Sequence, residues 1–234
     1  MATRTLHSIG REACPLLVVD DLGPEPTLVA DIAAALGPFP AARGNSYPGL
    51  RRTIRPDDGP AVGYARDLLR GLVPAINEGF GVDGFDLLIA SFSLVTARPD
   101  ALAPIQRAPH FDSADPLILA VLHYVGGAEG SGTGFYRQRS TGIERVTGRN
   151  NAAFMAAAQA EASGWHGYIG GSTPSFEQIG AVDAVPGRVI VYQGSLLHSG
   201  HIPADMSFSD DPRVGRLTGN FFVRGRPRAA ARAG

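Results

Sequence analysis

The pattern of apolar and polar positions changes character near residue 80. Residues 15–19 form a continuous apolar run closed by Asp20 and Asp21, which reads as a strand. Residues 24–36 read as a helix, with Pro26 near its first turn and Gly37-Pro38 beyond its end. Residues 43–55, containing Tyr47-Pro48-Gly49, keep neither period and read as irregular. Between 61 and 80, Tyr64, Leu68, Leu72, Val73 and Ile76 recur at helical spacing, and Pro74 is expected to kink or end that helix.

Beyond residue 80 the rhythm is that of strands. Runs rich in Val, Ile, Leu, Thr and aromatics occupy 87–96, 117–125, 133–139, 188–192 and 216–223, each bounded by Gly, Pro, Asp or Ser. A long excursion, 140–187, separates the third run from the fourth. It holds an alanine-rich helix over 150–162 and a glycine- and aromatic-rich stretch around Trp165 and Tyr168. Helices first and strands later predict one α+β, mainly β domain over 1–223. Its helical support spans 24–80, its β core 85–223 and its insertion 140–187. The arginine-rich tail, 224–234, is expected to be solvated and disordered.

Composition narrows the chemistry. The 234 residues carry a net charge of -1, which calls for neither a nucleic acid nor an anionic membrane as partner. All 21 basic residues are arginine. Lysine Schiff-base chemistry and a P-loop lysine are therefore closed off, and a carboxylate-binding cation has to be arginine or a charged histidine. The single cysteine, Cys14, excludes an internal disulfide or a multi-cysteine metal site. The first residues have no apolar leader segment, and the best apolar run, 87–97, is far short of the roughly 20 residues that span a bilayer. A soluble, cytoplasmic protein is expected.

Three segments carry candidate chemistry. In Arg107-Ala-Pro-His110-Phe-Asp112, residues i and i+2 of an extended chain face the same way, so His110 and Asp112 can share one metal ion. In Arg188-Val-Ile-Val-Tyr192-Gln-Gly-Ser-Leu-Leu-His198-Ser-Gly200, an apolar strand runs into a turn and a histidine emerges beyond it. In Gly215-Arg216-Leu-Thr218-Gly-Asn220-Phe-Phe-Val223, alternation puts Arg216, Thr218 and Asn220 on one face. A guanidinium beside a hydroxyl suits a ligand carboxylate, whereas an edge strand with its polar face in water would look the same. Two histidines and a carboxylate are the facial set of non-haem iron(II) oxygenases, which leaves positions open on the metal.

The order His-x-Asp, long gap, His, Arg-x-Thr resembles the 2-oxoglutarate-dependent dioxygenases, in particular their prolyl-hydroxylase-like branch, from about residue 87 to 223. Leu122-His-Tyr124-Val-Gly-Gly and Gly130-Ser-Gly-Thr133-Gly-Phe135 look like that branch's paired strands around a Gly-Gly-x-Thr-x-Phe turn, with Ser131 in place of the second glycine. The resemblance implies a double-stranded β-helix (jelly roll) with iron(II) on His110, Asp112 and His198. It implies 2-oxoglutarate as cosubstrate, its distal carboxylate on Arg216 with help from Thr218 and Tyr124, and dioxygen as oxidant. The product side would be succinate, carbon dioxide and an oxidised substrate, small molecule, amino acid or peptide. Because Asp112 is present, hydroxylation, desaturation or ring closure is expected rather than halogenation.

Two departures stand out. The gap from His198 to Arg216 is longer than in the branch, and its surplus around 204–212 reads as a polar loop. That gap also leaves His201 as a rival to His198. A cupin-like protein that binds a small acid without turnover, and a serine hydrolase on Ser195 and His198, are the competing functions. His123, His7 and His166 read as structural or surface residues. The stretch 165–176 is read either as a mobile lid over the iron or as a static excursion on the outside of the barrel.

Overall fold

A computed structural model describes residues 2–44, 47–127 and 130–228. In chain order its elements are β1 (Thr3–Ile9), β2 (Cys14–Asp20), α1 (Pro26–Ala34), β3 (Gly49–Thr53), α2 (Gly59–Phe80), β4 (Val82–Val95), β5 (Ile118–Tyr124), β6 (Gly132–Gln138), α3 (Asn151–Glu161), β7 (Phe176–Asp183), β8 (Val189–Gln193), β9 (His198–His201) and β10 (Leu217–Pro227). The strands form a seven-stranded sheet in the order β1-β2-β8-β5-β10-β4-β3 and a three-stranded sheet in the order β7-β6-β9. Every pairing is antiparallel.

The large sheet is covered on both faces, so its central strands are nearly all apolar. Val189 and Val191 of β8, Leu119 and Val121 of β5, and Leu217, Phe221 and Val223 of β10 pack with α2. The alternate residues Ile190, Tyr192, Ala120 and Tyr124 meet Phe135 and Val182 of the small sheet. Helix α2 forms because Ala61, Tyr64, Ala65, Leu68, Leu69, Leu72, Ala75 and Ile76 make one continuous buried stripe. Gly81, at φ 66°, caps it in the left-handed region and donates its N–H to the Asn77 carbonyl.

Several elements differ from the sequence reading. Pro74 does not end α2, which continues to Phe80. Pro74 sits on the exposed side, where water can serve the carbonyl that lacks a partner. Residues 49–53, read as irregular, form the edge strand β3, and 3–9 form the opposite edge, β1. Neither has an apolar alternation, because an edge strand needs only backbone pairing and one sheltered face. The excursion 140–187 contains β7, which pairs with β6 along the small sheet, so its non-β part ends by residue 175. β10 is no edge: it lies between β4 and β5.

The expected tail is partly a correction as well. β10 runs to Pro227, and the arginines of the tail meet acids, with Arg224 at 3.2 Å from Asp115, Arg226 at 3.8 Å from Asp86 and Arg228, just past the strand, at 3.5 Å from Asp83. Residues 229–234 of that tail lie outside the described residues. Among the described residues no helix is long and apolar enough to cross a membrane.

Candidate metal centre

The structure brings His110, Asp112 and His198 together at one end of the space between the sheets. His110 and His198 form an isolated antiparallel bridge, each donating its N–H to the other's carbonyl at 2.9 Å. Asp112 is fixed two residues later, where its N–H donates to the Gly194 carbonyl at 2.7 Å. The ligating atoms of the three side chains all lie within 4.8 Å of one another. Nε2 of His198 is 3.4 Å from the Asp112 carboxylate and Nε2 of His110 is 3.9 Å from it.

The neutral histidines suit a cation. Burial lowers both histidines from 6.5 to about 4; at His110 the neighbouring His198 adds to that fall and Asp112 opposes it. Burial raises the Asp112 carboxyl, and the charges of His110 and Arg51 oppose that rise. Nδ1 of His198 lies 2.8 Å from the Leu196 carbonyl, so it carries the proton and Nε2 presents a lone pair toward Asp112. Among the described residues His198 and Ser195 form no side-chain hydrogen bond, so the hydrolase pairing is not formed. His201, the rival ligand, is turned away: its Nε2 is 2.8 Å from the Tyr136 hydroxyl.

A cavity of about 400 Å³ opens in front of the three residues. Its floor is the inner face of the large sheet, where Thr218 of β10 lies in register with Ser93 of β4 and Tyr124 of β5. Arg216, Thr218 and Asn220 all face it, as alternation requires. Arg216 is 5% exposed and is braced from behind, its Nε donating to Ser131 Oγ at 3.2 Å and Nη2 to the Gly132 carbonyl at 3.0 Å. Ser131, the residue that departs from the Gly-Gly-x-Thr-x-Phe turn, thus acquires a physical role. The Tyr124 hydroxyl donates to Thr133 Oγ1 at 2.7 Å, so it holds Thr133 at the cavity wall.

A family model described as "Family of unknown function (DUF6445)" matches residues 1–223. The chain belongs to that family. A comparison with curated proteins finds no match. Among solved structures, the chain is similar to the non-haem α-ketoglutarate-dependent epimerase SnoN from nogalamycin biosynthesis. The TM-score is 0.52 at 14% identity, covering 92% of this chain and 82% of that one. It is also similar to a Pseudomonas putida prolyl-4-hydroxylase, with TM-score 0.43, 15% identity and coverage of 95% and 92%. The viral collagen prolyl hydroxylase of Paramecium bursaria Chlorella virus-1 matches with TM-score 0.48, 11% identity and coverage of 90% and 96%. At these identities the likeness shows the fold, and the SnoN comparison is the one that carries it.

Two cavity residues escape the sequence reading of this family member. Arg51 and Tyr47 come from the segment 43–55, and both line the cavity. The Tyr47 hydroxyl is buried; the Ser93 and Thr218 hydroxyls are its neighbours, yet neither closes a hydrogen bond with it. Their signal is invisible in sequence because it consists of register: β3 puts Arg51 opposite Ser93. The long gap 199–215 also proves more than polar. Met206 and Phe208 pack with Val95, Ile202, Tyr47 and Tyr168 in a small cluster at the cavity rim.

Proposed function

We propose that this protein is an iron(II)- and 2-oxoglutarate-dependent dioxygenase built on a double-stranded β-helix, oxidising a small-molecule, amino-acid or peptide substrate with release of succinate and carbon dioxide. One observation carries the reading. A His-Asp-His set with its nitrogen lone pairs and carboxylate converging opens onto a cavity that also presents a braced, buried arginine. A metal-binding triad alone fits a cupin-like binder equally well. A second, buried cation in the same cavity fits a cosubstrate that carries a carboxylate at each end.

His110, Asp112 and His198 would hold the iron, whose chemistry when bound is dioxygen activation coupled to decarboxylation of 2-oxoglutarate. The protein's residues set the geometry. Arg216 would take the distal carboxylate through the part of its fork not used by Ser131 and Gly132, with Thr218 and Thr133 as hydroxyl partners and Tyr124 orienting Thr133. The orphaned Tyr47 hydroxyl beside Thr218 supplies one more donor for a ligand oxygen. Phe111, Phe154, Met155 and Trp165 line the cavity with apolar surface. Iron-dependent formation of succinate from 2-oxoglutarate under air, absent from His198→Ala, is the expected result. Failure of the iron-loaded wild type to bind 2-oxoglutarate by calorimetry would overturn the reading.

A further inference from the structure

Arg51 is a second fixed guanidinium in the cavity, with no carboxylate at ion-pair distance among the described residues. Its Nε donates to Ser93 Oγ at 3.0 Å, and its Cζ sits 4.5 Å over the Tyr47 ring. Tyr47 is held in turn, its carbonyl accepting from Gly49 N–H at 3.0 Å and from Gln106 Nε2 at 3.2 Å. The backbone N–H of Arg51 donates to the Pro40 carbonyl at 3.0 Å. Among the described residues, its two terminal nitrogens have neither a hydrogen-bond partner nor a carboxylate within ion-pair distance. A solvated surface arginine would show none of this bracing; a fork set in advance for a planar anion would show all of it.

Charge balance says what that anion belongs to. With iron(II), ionised Asp112, neutral histidines and 2-oxoglutarate as a dianion, Arg216 brings the site to electrical neutrality. Arg51 is the charge left over, and a half-buried cation without a counter-ion is costly. It also stands on the metal side of the cavity. Its charge reaches His110, Asp112 and Tyr192, and that of Arg216 reaches Tyr124, Tyr168 and His201; the two meet at Tyr47. Much of the remaining lining is apolar, with Ile105, Phe111, Phe154, Met155 and Trp165.

We infer that the substrate is a carboxylate with an apolar body, and that Arg51, held by Ser93 and Tyr47, is the residue that recognises its carboxylate. The inference rests on the dioxygenase reading above, so the test separates the two. Manganese(II)-loaded protein with 2-oxoglutarate is titrated calorimetrically with three matched pairs: phenylacetate and phenylacetamide, octanoate and octanamide, and N-acetyl-L-phenylalanine and its amide. For at least one pair the wild type should bind the acid about tenfold or more tightly than the amide, as a charge-assisted fork predicts. Arg51→Gln should erase that preference while binding 2-oxoglutarate as wild type does, and Arg51→Lys should keep part of it. Equal binding of acid and amide in every pair, or a preference that survives in Arg51→Gln, overturns the inference. A large loss of 2-oxoglutarate binding in Arg51→Gln overturns it too, assigning Arg51 to the cosubstrate with the dioxygenase reading intact. Only failure of the wild type to bind 2-oxoglutarate would bring down both.

Discussion

His110 and His198 lie 88 residues apart in sequence, yet each backbone N–H donates to the other's carbonyl at 2.9 Å, and their rings stand 4.4 Å apart. The two side chains are therefore placed by main chain, not by a flexible loop. Asp112 is tied to Gly194 by the same means, so all three side chains hang from one short stretch of antiparallel pairing. Rigid placement of this kind is what a metal site needs, since it limits the reorganisation required on binding.

Removal of any of the three should abolish tight iron(II) binding without unfolding the protein. His110→Ala, Asp112→Ala and His198→Ala are each expected to lose the metal in calorimetry and to keep a wild-type circular dichroism spectrum. His201→Ala should keep it, because His201 is engaged with Tyr136. An intact metal isotherm in His198→Ala, together with a lost one in His201→Ala, would show the distal ligand to be misassigned.

Cosubstrate affinity gives a graded series. Arg216→Ala should weaken 2-oxoglutarate binding by roughly tenfold to a hundredfold, since a charged hydrogen-bonded contact contributes about 1.5–3 kcal/mol. Thr218→Ala should cost about 0.5–1.5 kcal/mol, the scale of one neutral hydrogen bond. Equal titration curves for Arg216→Ala and wild type would contradict the assignment of the distal carboxylate to Arg216.

Much of this was legible in the sequence, and the boundary has a physical origin. Alternation alone told which face of β10 carries Arg216, Thr218 and Asn220, because side-chain parity is local. The helix α2 and strands β2, β5, β6, β8 and β10 were visible because they bury continuous or periodic apolar sets. Arg51 was not, since β3 has no such set and its place opposite Ser93 depends on a pairing partner 42 residues away. β7 was hidden for a similar reason: its partners are decided by the small sheet, and Phe176 and Val182 are its only fully buried apolar residues.

His123 gives a test on the opposite face of the sheet. It is fully buried against α2, with Nδ1 2.7 Å from the Tyr64 hydroxyl, and burial lowers its pKa from 6.5 to about 4. The unfolded ring titrates at 6.5, so between 6.5 and 4 the unfolded chain binds a proton that the folded chain does not. Its contribution is complete above pH 6.5, declines as pH falls, and levels off below 4. The decline should amount to about 3 kcal/mol, at 1.36 kcal/mol per pH unit. Urea unfolding at pH 7 and pH 4 should show wild type losing about that much more than His123→Gln. Parallel losses in the two proteins would mean that His123 is not neutral in the folded state.

Gly219 of β10 faces the same buried pair. A Cβ there would stand 2.3 Å from the Tyr64 hydroxyl, well inside contact distance. Gly219→Ala should therefore push Tyr64 off His123 and destabilise the protein by about 1–3 kcal/mol, the usual cost of overpacking. Thermal melting measures this directly. Because the clash lies on the helix side of the sheet, iron(II) affinity of the folded variant should match wild type. A wild-type melting temperature would show that α2 can shift at little cost.

The last prediction concerns the stretch 165–176 over the cavity. Trp165 and Tyr168 line the cavity itself, so the segment is no excursion on the far side of the sheets. Its ties are unevenly spread. In 165–171, Arg107 Nη1 donates to the Trp165 carbonyl at 3.3 Å, Trp165 Nε1 to Ser175 Oγ at 3.4 Å and the Tyr168 hydroxyl to the Ala97 carbonyl at 2.8 Å. In 172–176 the chain is held closely to its neighbours, with Arg139 N–H donating to the Ser175 carbonyl at 2.8 Å and Arg139 Nε to the Thr173 carbonyl at 3.0 Å. Glycines at 164, 167, 170 and 171 leave the backbone between those ties with wide conformational freedom. Ile169 anchors the segment in the core, and the glycines on either side of it place 165–171, more than 172–176, toward the low-stability end of the fold, where binding lids are drawn from. The proposal is that it opens and closes over the metal centre. Chymotrypsin should cut after Trp165 or Tyr168 in the resting protein, and iron(II) with 2-oxoglutarate under nitrogen should slow that cut several-fold. Tyr168→Phe, which releases the closest tie of 165–171, should accelerate cleavage in the resting protein. Equal cleavage rates with and without the ligands would show that the segment is a fixed wall of the cavity.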